Sequence, residues 1–526
     1  MNSRQKNTNI SSKNSQSLLV EKEQVIIQQS AIINEKDQII GNKTDIIENQ
    51  KKRIKFLEEY LRLERARHYG RSSEKNTDQV EMVFNEAEEI EDKTTAEEKE
   101  TNTKSKKKGG RIGLSKSLPR HQVYLNLSDE EKAGASETFY TKVKEELDIE
   151  PAKAQVIEYM QEKAVFTEEG KRKIKAAPLK KHILNKCIAS ISLLAYVVVS
   201  KYCDGLPLYR LENILKRYGG EITRTSMANW VIRLSLQLQP LINLMREHQI
   251  SYDYIHADET RISVLKEPDK PPTSDKWMWN SRGGPPESPV ILFDYDPSRC
   301  KEVPLRLFEG FQGYFQTDGY AGYDELCKKE GITQLGCWDH ARRKFVDAQK
   351  SADPKAKRDL KTVAKYEVAL SKIRKLYRIE TAIKELSIEE KYKQRQENSL
   401  PILKDLRSWL EKNVVKVCKD SKTYTAINYT LNQWPKLIRY CEDGRLNISN
   451  APAENAIRPF VIGRKAWLFA DTPKGAHASA IHYSLIETAK ANGLEPYKYL
   501  VEVFKRLPYA EKVEDFEALL PWNIKK

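Results

Sequence analysis

Apolar residues recur at every seventh position near the amino terminus: Leu19, Ile26, Ile33, Ile40, Ile47, Ile54 and Leu61. A second register, Leu18, Val25, Ile32, Ile39 and Ile46, runs beside the first. Sevenfold spacing keeps one stripe on one side of a helix, and burying that stripe takes a partner. Residues 15–70 are therefore expected to form a coiled-coil helix that serves oligomerisation. The seam is narrow, because Gln29, Lys36, Lys43 and Gln50 stand where companion apolar residues usually fall. The periodicity then stops. Over residues 71–117 an acidic run (NEAEEIEDKTTAEEKE) gives way to KSKKKGGR with few apolar positions, the pattern of a disordered charged linker.

Folding resumes near Leu118. Residues 182–250 read as successive helices, and LPLYRLENILKRYGGEITRTSMANWVIRL holds a helix, a Gly219-Gly220 break, and Thr223 or Thr225 as the cap of a second helix. The segment is helix-turn-helix-like, with Arg224, Ser226 and Asn229 as candidate DNA-contacting residues. After Ser251 the texture changes to short strands: Tyr252–Ala257, Lys276–Asn280, Val290–Tyr295, Gly313–Thr317 and Ile332–Trp338, with a short helical stretch at Lys301–Leu307. This β-β-β-α-β-α-β order over residues 251–345 predicts a mixed sheet covered by helices. Charged helical periodicity fills residues 346–445, an insertion. Helical signals return at Glu454–Ile462 and Ala478–Asn492, inside a last segment of residues 446–526 that completes the core. The fold class is α+β and multidomain.

Composition narrows the partners. The 526-residue chain carries a formal charge of +15, and its pI near 9.1 favours a polyanion such as nucleic acid. The amino terminus lacks an apolar stretch of signal-peptide length, and the longest later run, Ile188–Val199, is too short to span a bilayer. A cytoplasmic, nucleoid-associated protein without membrane contact is expected. Seven dispersed cysteines (Cys187, Cys203, Cys300, Cys327, Cys337, Cys418 and Cys441) fit reduced thiols.

Candidate chemistry lies among the carboxylates. Cutting and rejoining phosphodiesters needs an activated nucleophile and a stabilised leaving oxygen, which two Mg²⁺ ions supply in an in-line displacement. Such hard ions take carboxylate oxygens. Asp258 ends the first strand in HADET, Asp318 ends the fourth in FQTDGYAGY, and Glu454 opens a helix in SNAPAENAIRPF, which Asn450 or Ser449 can cap. Strands one and four are neighbours in a ribonuclease-H-like sheet, so the two aspartates can converge there. From the residues alone, Asp294, Asp296 and Asp324 compete, and Glu259 is a substitute for its neighbour.

The chain also resembles the insertion sequence 66 family of bacterial transposases from about Leu61 onward. The resemblance rests on ERARHYGRSSEK, KKGGR with LPRH, SLLAYVVVSKYCDGLPLYRLENIL, HADET, FDYDPSR, QTDGYAGY, CWDHARRKF and NAPAENAIRPFVIGRKAWLF…SLIETAKANGLEPYKYL. It implies a DDE-type transposase with a ribonuclease-H-like catalytic core, with Asp258, Asp318 and Glu454 as catalytic metal ligands, and Mg²⁺, or Mn²⁺ in its place, as cofactor. Family members also have a leucine-zipper-like amino terminus and a small zinc-binding domain. Here no cysteine precedes Cys187, and between Leu118 and Lys181 the histidine is His121. Residues 118–181 are therefore expected to be a degenerate version of that domain without zinc. A second departure is Asn455, where relatives often carry arginine.

Further basic residues have candidate DNA roles: His340 and Arg343 after strand five, then Arg458, Arg464 and Lys465 beyond Glu454. Arg342 and Lys344 read as solvent-facing helix residues. Trp338 and Trp467 suit core packing or stacking on an unpaired base, and His256 reads as a hydrogen-bonded strand residue. The expected partners are the element's terminal inverted repeats, target DNA, further copies of the chain, and small accessory proteins of the same element. Three functions fit these features. The first is Mg²⁺-dependent strand cleavage followed by 3′-hydroxyl strand transfer. The others are a non-catalytic DNA-binding oligomer and a ribonuclease-H-like nuclease that does not join strands.

Overall fold

The structure, a computed structural model, describes residues 180–352 and 363–524, together with 155–158, 160–168, 171–176 and scattered helical positions between 29 and 57. The expected linker at 71–117 lies outside the described residues, as do His121 and most of the segment 118–181. Positions described between 29 and 57 are helical, and Ile40, Ile47 and Ile54 of the heptad stripe are exposed.

The chain divides into two compact units. One comprises Glu74–Lys180 and Leu208–Ser226. It holds an antiparallel hairpin of β1 (Lys163–Glu168) and β2 (Lys171–Ala176), in register from Lys163↔Ala176 to Glu168↔Lys171. Sequence reasoning missed this hairpin, although its two short runs are separated in the sequence by Glu-Gly, a pair common between strands.

The other unit begins its described core with α1 (Ile191–Tyr202), capped by the Ser190 hydroxyl. Helix α2 (Leu208–Arg217), which belongs to the hairpin's unit, is followed by Gly219 at φ +83°, and α3 (Arg224–Ile250), assigned to the other unit from Met227 onward, starts where Thr223 Oγ1 accepts the Ser226 N–H at 3.2 Å. The expected second helix is thus present and capped at Thr223. It runs 27 residues, far beyond a short recognition helix. Arg224 and Asn229 are exposed on it and Ser226 is half-exposed.

The mixed sheet contains β3 (Tyr254–Val264), β4 (Lys276–Gly283), β5 (Val290–Asp296), β6 (Gly313–Gln316), β7 (Ile332–Leu335) and the two-residue β8 (Phe469–Ala470). Its order is β5-β4-β3-β6-β7, with β8 beside the far end of β3. The first three strands are antiparallel, while β6 and β7 run parallel to β3. Helix α4 (Glu302–Leu307) links β5 to β6. Gly313 starts β6 at φ +127°, where a Cβ would stand 2.2 Å from the Asp253 carbonyl oxygen, so the close approach of β6 to β3 requires glycine.

Two strand ends differ from the sequence expectation. The first strand continues through Asp258 to Val264, because antiparallel pairing with β4 persists from His256↔Arg282 to Ile262↔Lys276. The fifth ends at Leu335, and Trp338 instead opens α5 (Trp338–Ser351), fully buried and edge-on to Trp434. That removes Trp338 from base stacking.

Strand alternation sorts the side chains of β3 between two faces. Ile255 and Ala257 join Trp279, Phe315 and Tyr323 in one core cluster. The opposite face carries His256 and Asp258. Helices α5, α6 (Lys365–Ala382), α7 (Ile388–Gln394), α8 (Leu400–Val414) and α9 (Lys422–Asn432) follow the sheet, around a core that includes Phe345, Ile373, Leu406 and Ile427. Buried Arg395 clips it together, binding both Glu380 oxygens and the carbonyls of Tyr440 and Asp443. The chain then returns to the sheet with α10 (Ala451–Trp467), α11 (Pro473–Ala491) and α12 (Pro496–Arg506).

Helix α11 covers the outer edge of β5. Ser484 Oγ accepts the Phe293 N–H at 2.8 Å, and Thr488 Oγ1 accepts the Ile291 N–H at 3.0 Å. One helical turn separates the two hydroxyls, which matches the two-residue repeat along a strand edge. They blunt an edge that would otherwise expose backbone donors. The double variant Ser484→Ala, Thr488→Val is expected to lose about 1–3 kcal/mol per orphaned N–H, read as a lower midpoint of denaturant unfolding. An unchanged midpoint would show that the hydroxyls are not needed there.

Candidate functional site

Asp258 projects where the sheet opens. Parallel pairing of β3 with β6 stops at His256↔Gln316, and β8 takes up the same edge at Ser263↔Phe469. Among the described residues no strand fills the interval. The Nδ2 of Asn450 fills part of it, donating to the Ala257 carbonyl at 2.8 Å. Asp258 is half-buried, and its Oδ1 accepts the Glu259 N–H at 2.9 Å.

Asp318 follows β6 by two residues. Its Oδ1 accepts the Tyr320 N–H at 2.8 Å, and the next residue, Gly319, sits at φ +93°, a conformation side-chain-bearing residues rarely hold. The insertion steadies this turn, since the Tyr429 hydroxyl of α9 donates to the Asp318 carbonyl at 2.9 Å.

Glu454 lies in the first turn of α10, its N–H bonded to the Asn450 carbonyl at 3.1 Å and Pro452 beside it. Asn450 does not cap the helix through its side chain, as the sequence suggested. Its side chain instead ties the helix start to β3: Oδ1 accepts from His256 Nδ1 at 3.2 Å while Nδ2 bonds Ala257. Asn447 Nδ2 donates to His256 Nε2 at 3.3 Å, which fixes the proton on Nδ1. His256 is therefore the hydrogen-bonded strand residue expected, and burial pushes its pKa down to about 3, so it stays neutral. Asn450 N–H also donates to Cys337 Sγ at 3.2 Å.

The three carboxylates belong to one electrostatic centre. Burial holds Asp258 well above the usual carboxylate range, and the charges of Glu259, Asp318 and Glu454 push it further. Glu454 is also raised, chiefly by burial. Arg343 opposes that shift, Asp339 and Asp318 reinforce it, and Arg458 opposes it again. Glu454 Oε1 is sealed from solvent without a hydrogen-bond partner among the described residues. Like charges crowded together, with a buried oxygen left unpaired, are what a cation would relieve. The donor set is oxygen-rich and suits a hard divalent ion.

Competing carboxylates are already engaged. Glu259 projects from β3 on the opposite face to Asp258, where the Arg299 guanidinium and the Tyr323 hydroxyl bind its two oxygens. Asp294 holds Arg246 through both oxygens at 2.7 and 2.6 Å. Asp296 pairs with Arg306 at 2.9 Å, and Asp324 with Lys436 at 2.9 Å.

Among the basic candidates, His340 Nδ1 and Arg343 Nη2 lie 3.7 and 3.9 Å from the two Glu454 oxygens. Arg458 acts on Glu454 from the next turn of α10. Arg464 reaches Thr260 Oγ1 at 3.2 Å, and Lys465 is exposed near the end of the same helix, about 16.5 Å of helical rise from Glu454. Arg342 is half-buried, Lys344 exposed and Asn455 exposed. Trp467 is half-buried, edge-on to Phe460, with Lys201 5.0 Å over its ring. Arg224 and Ser226 fall in the other compact unit, and Asn229 is exposed on α3. Sequence reasoning passed over Asn447, Cys337 and Tyr429. Their contacts join segments far apart in the chain, and no local pattern announces them.

Comparison with known proteins places these features. Residues 186–478, which include all three carboxylates, match the family model described as Transposase IS66 family. Residues 484–522 match the IS66 C-terminal element, and residues 56–123 match a model described as Transposase C of IS166 homeodomain. Similar chains occur in Sinorhizobium fredii. The uncharacterized protein y4qI is 34% identical over 393 residues, covering 72% of this chain and 71% of its own length. The uncharacterized proteins y4hP and y4jD are each 29% identical, over 394 and 432 residues, covering 73% and 78% of this chain and 71% and 81% of their own lengths.

Proposed function

Because the chain belongs to the IS66 family of transposases, we propose that Asp258, Asp318 and Glu454 are its catalytic carboxylates. They would hold divalent cations, Mg²⁺ or Mn²⁺ in its place, for cleavage and joining of DNA at the ends of an insertion sequence. The observation that carries this reading is the convergence of three carboxylates from β3, the turn after β6 and the start of α10, close enough for Asp318 and Glu454 to raise Asp258. The strand order, with three antiparallel strands followed by two parallel to the first, supports a ribonuclease-H-like core.

Divalent cations at this position activate the attacking oxygen and stabilise the leaving one. In the first step water attacks the scissile phosphorus, the bond to the 3′ oxygen breaks, and that oxygen departs as a 3′-hydroxyl. In the second the freed 3′-hydroxyl attacks a target phosphodiester, so one phosphodiester forms as another breaks. Neither step leaves DNA bonded to the protein. The chain's own part is placement. The His256–Asn450–Ala257 contacts fix the start of α10, and the Tyr429 bond fixes the turn of Asp318. Arg343 and Arg458 set positive charge beside Glu454 where a phosphate would approach. Arg464 and Lys465 extend it along α10.

Family membership and the homeodomain-model match support DNA as the partner. The exposed heptad residues Ile40, Ile47 and Ile54 support self-association through the amino-terminal helix. Among the described residues no helix is long and apolar enough to cross a membrane.

Labelled terminal repeats, a plasmid target and Mg²⁺ test the reading, with Asp318→Ala alongside the unaltered protein. Cleavage and joining by the unaltered protein alone are expected. Cleavage without joining would indicate a nuclease. Binding with neither, unchanged by the substitution, would indicate a non-catalytic DNA-binding oligomer.

A further inference from the structure

His340 stands on the first turn of α5, and its Nδ1 faces Glu454 Oε1 at 3.7 Å. Both atoms are sealed from solvent, and neither has a hydrogen-bond partner among the described residues. A buried nitrogen and a buried oxygen left unpaired face to face are costly unless something sits between them. The gap is too long for a hydrogen bond. It falls within the reach of two ligands on one ion, since metal–nitrogen and metal–oxygen bonds of about 2.0–2.2 Å each span up to about 4 Å. Cys337, His340 and Glu454 each offer a ligand atom within 4.8 Å of the others. Cys337 Sγ, however, is already the acceptor of the Asn450 N–H.

Resting on the carboxylate reading above, we propose that His340 Nδ1 and Glu454 Oε1 ligate the same divalent ion, so that one metal position carries a nitrogen ligand. Asp258 and Asp318 complete the centre from the sheet side. An imidazole ligand favours a transition ion over Mg²⁺, which prefers oxygen and gives up water reluctantly. The position thus discriminates between the two cofactors, favouring Mn²⁺ over Mg²⁺ by a larger factor than an all-carboxylate site would. Arg343 Nη1 lies 3.4 Å from Nε2, and because a guanidinium only donates, that long contact places the neutral ring's proton on Nδ1; ligation through Nδ1 displaces this proton and exchanges the Arg343 contact for the ion.

The alternative is an ion-free contact in which Nδ1–H points at the carboxylate. Pulsed electron paramagnetic resonance of Mn²⁺ bound to the full chain separates the two, because a ligating imidazole imprints a ¹⁴N modulation on the Mn²⁺ echo. That modulation is expected in the unaltered protein and in Cys337→Ser, and should vanish in His340→Gln. Mn²⁺ affinity by calorimetry should fall about tenfold or more in His340→Gln, while Mg²⁺ affinity changes far less. Mn²⁺ that binds in an Asp318-dependent way without ¹⁴N modulation would overturn the His340 assignment and leave the carboxylates standing. Mn²⁺ binding indifferent to Asp318→Ala would overturn both.

Discussion

Asp258→Asn is expected to reduce strand cleavage and joining by about a thousandfold or more while making the metal-free protein more stable. The first effect follows from removing a cation ligand at the reacting phosphate, where stabilisation of about 4 kcal/mol corresponds to about three orders of magnitude in rate. The second follows from electrostatics. Burial and three neighbouring carboxylates hold the folded-state pKa of Asp258 well above its ordinary value. The native state therefore binds a proton more readily than the unfolded chain, and stability falls as pH rises from the ordinary carboxylate range through the shifted pKa. Asparagine keeps the shape without the charge. In chelator, the variant should unfold at a higher temperature than the parent at neutral pH, by about 2–4 °C per kcal/mol of repulsion removed. Its stability should also depend less steeply on pH. Added Mg²⁺ should stabilise the parent and close the gap. Full activity in the variant would remove Asp258 from the catalytic set, and a lower unfolding temperature would show that its carboxylate is satisfied without a cation.

The sheet was largely legible because short apolar runs bounded by turn residues mark buried strands: the nearly continuous run at Val290–Tyr295 lies within β5, and the expected strand Gly313–Thr317 ends one residue earlier, at Gln316. The reach of β3 to Val264 was not legible. It depends on pairing with β4, which polar residues such as Glu259, Thr260 and Arg261 do not announce. In the candidate site the acids are apparent in the sequence and their supporting contacts are not. His256 and Asn450 are 194 residues apart, and Tyr429 and Asp318 are 111 apart, so each pair is set by the closed fold and not by neighbouring text. The charged texture of 346–445 announced helices, but not that α9 would brace the turn that carries Asp318.

The adjacent pair Asp258 and Glu259 is the sharpest case, because composition cannot tell them apart and a strand sends them to opposite faces. Glu259→Ala is expected to act in the reverse sense to Asp258→Asn. The Glu259 side chain is 1% exposed, with one oxygen on Arg299 and the other on the Tyr323 hydroxyl at 2.5 Å. Arg299 is itself held between the rings of Trp277 and Tyr320, 4.5 and 3.6 Å from their centres. Truncating Glu259 leaves a guanidinium without its counter-charge and a buried hydroxyl without its acceptor, at a cost of about 3–5 kcal/mol. That loss should appear as a clear drop in the denaturant midpoint. Glu259→Gln, which retains an acceptor for Tyr323, should lose less. Folded Glu259→Ala should still cleave DNA, though more slowly, because Tyr320 begins the turn behind Asp318 and its hydroxyl bonds the Arg299 carbonyl. A Glu259→Ala protein as stable as the parent yet inactive would exchange the roles of the two neighbours and place Glu259 in the metal centre.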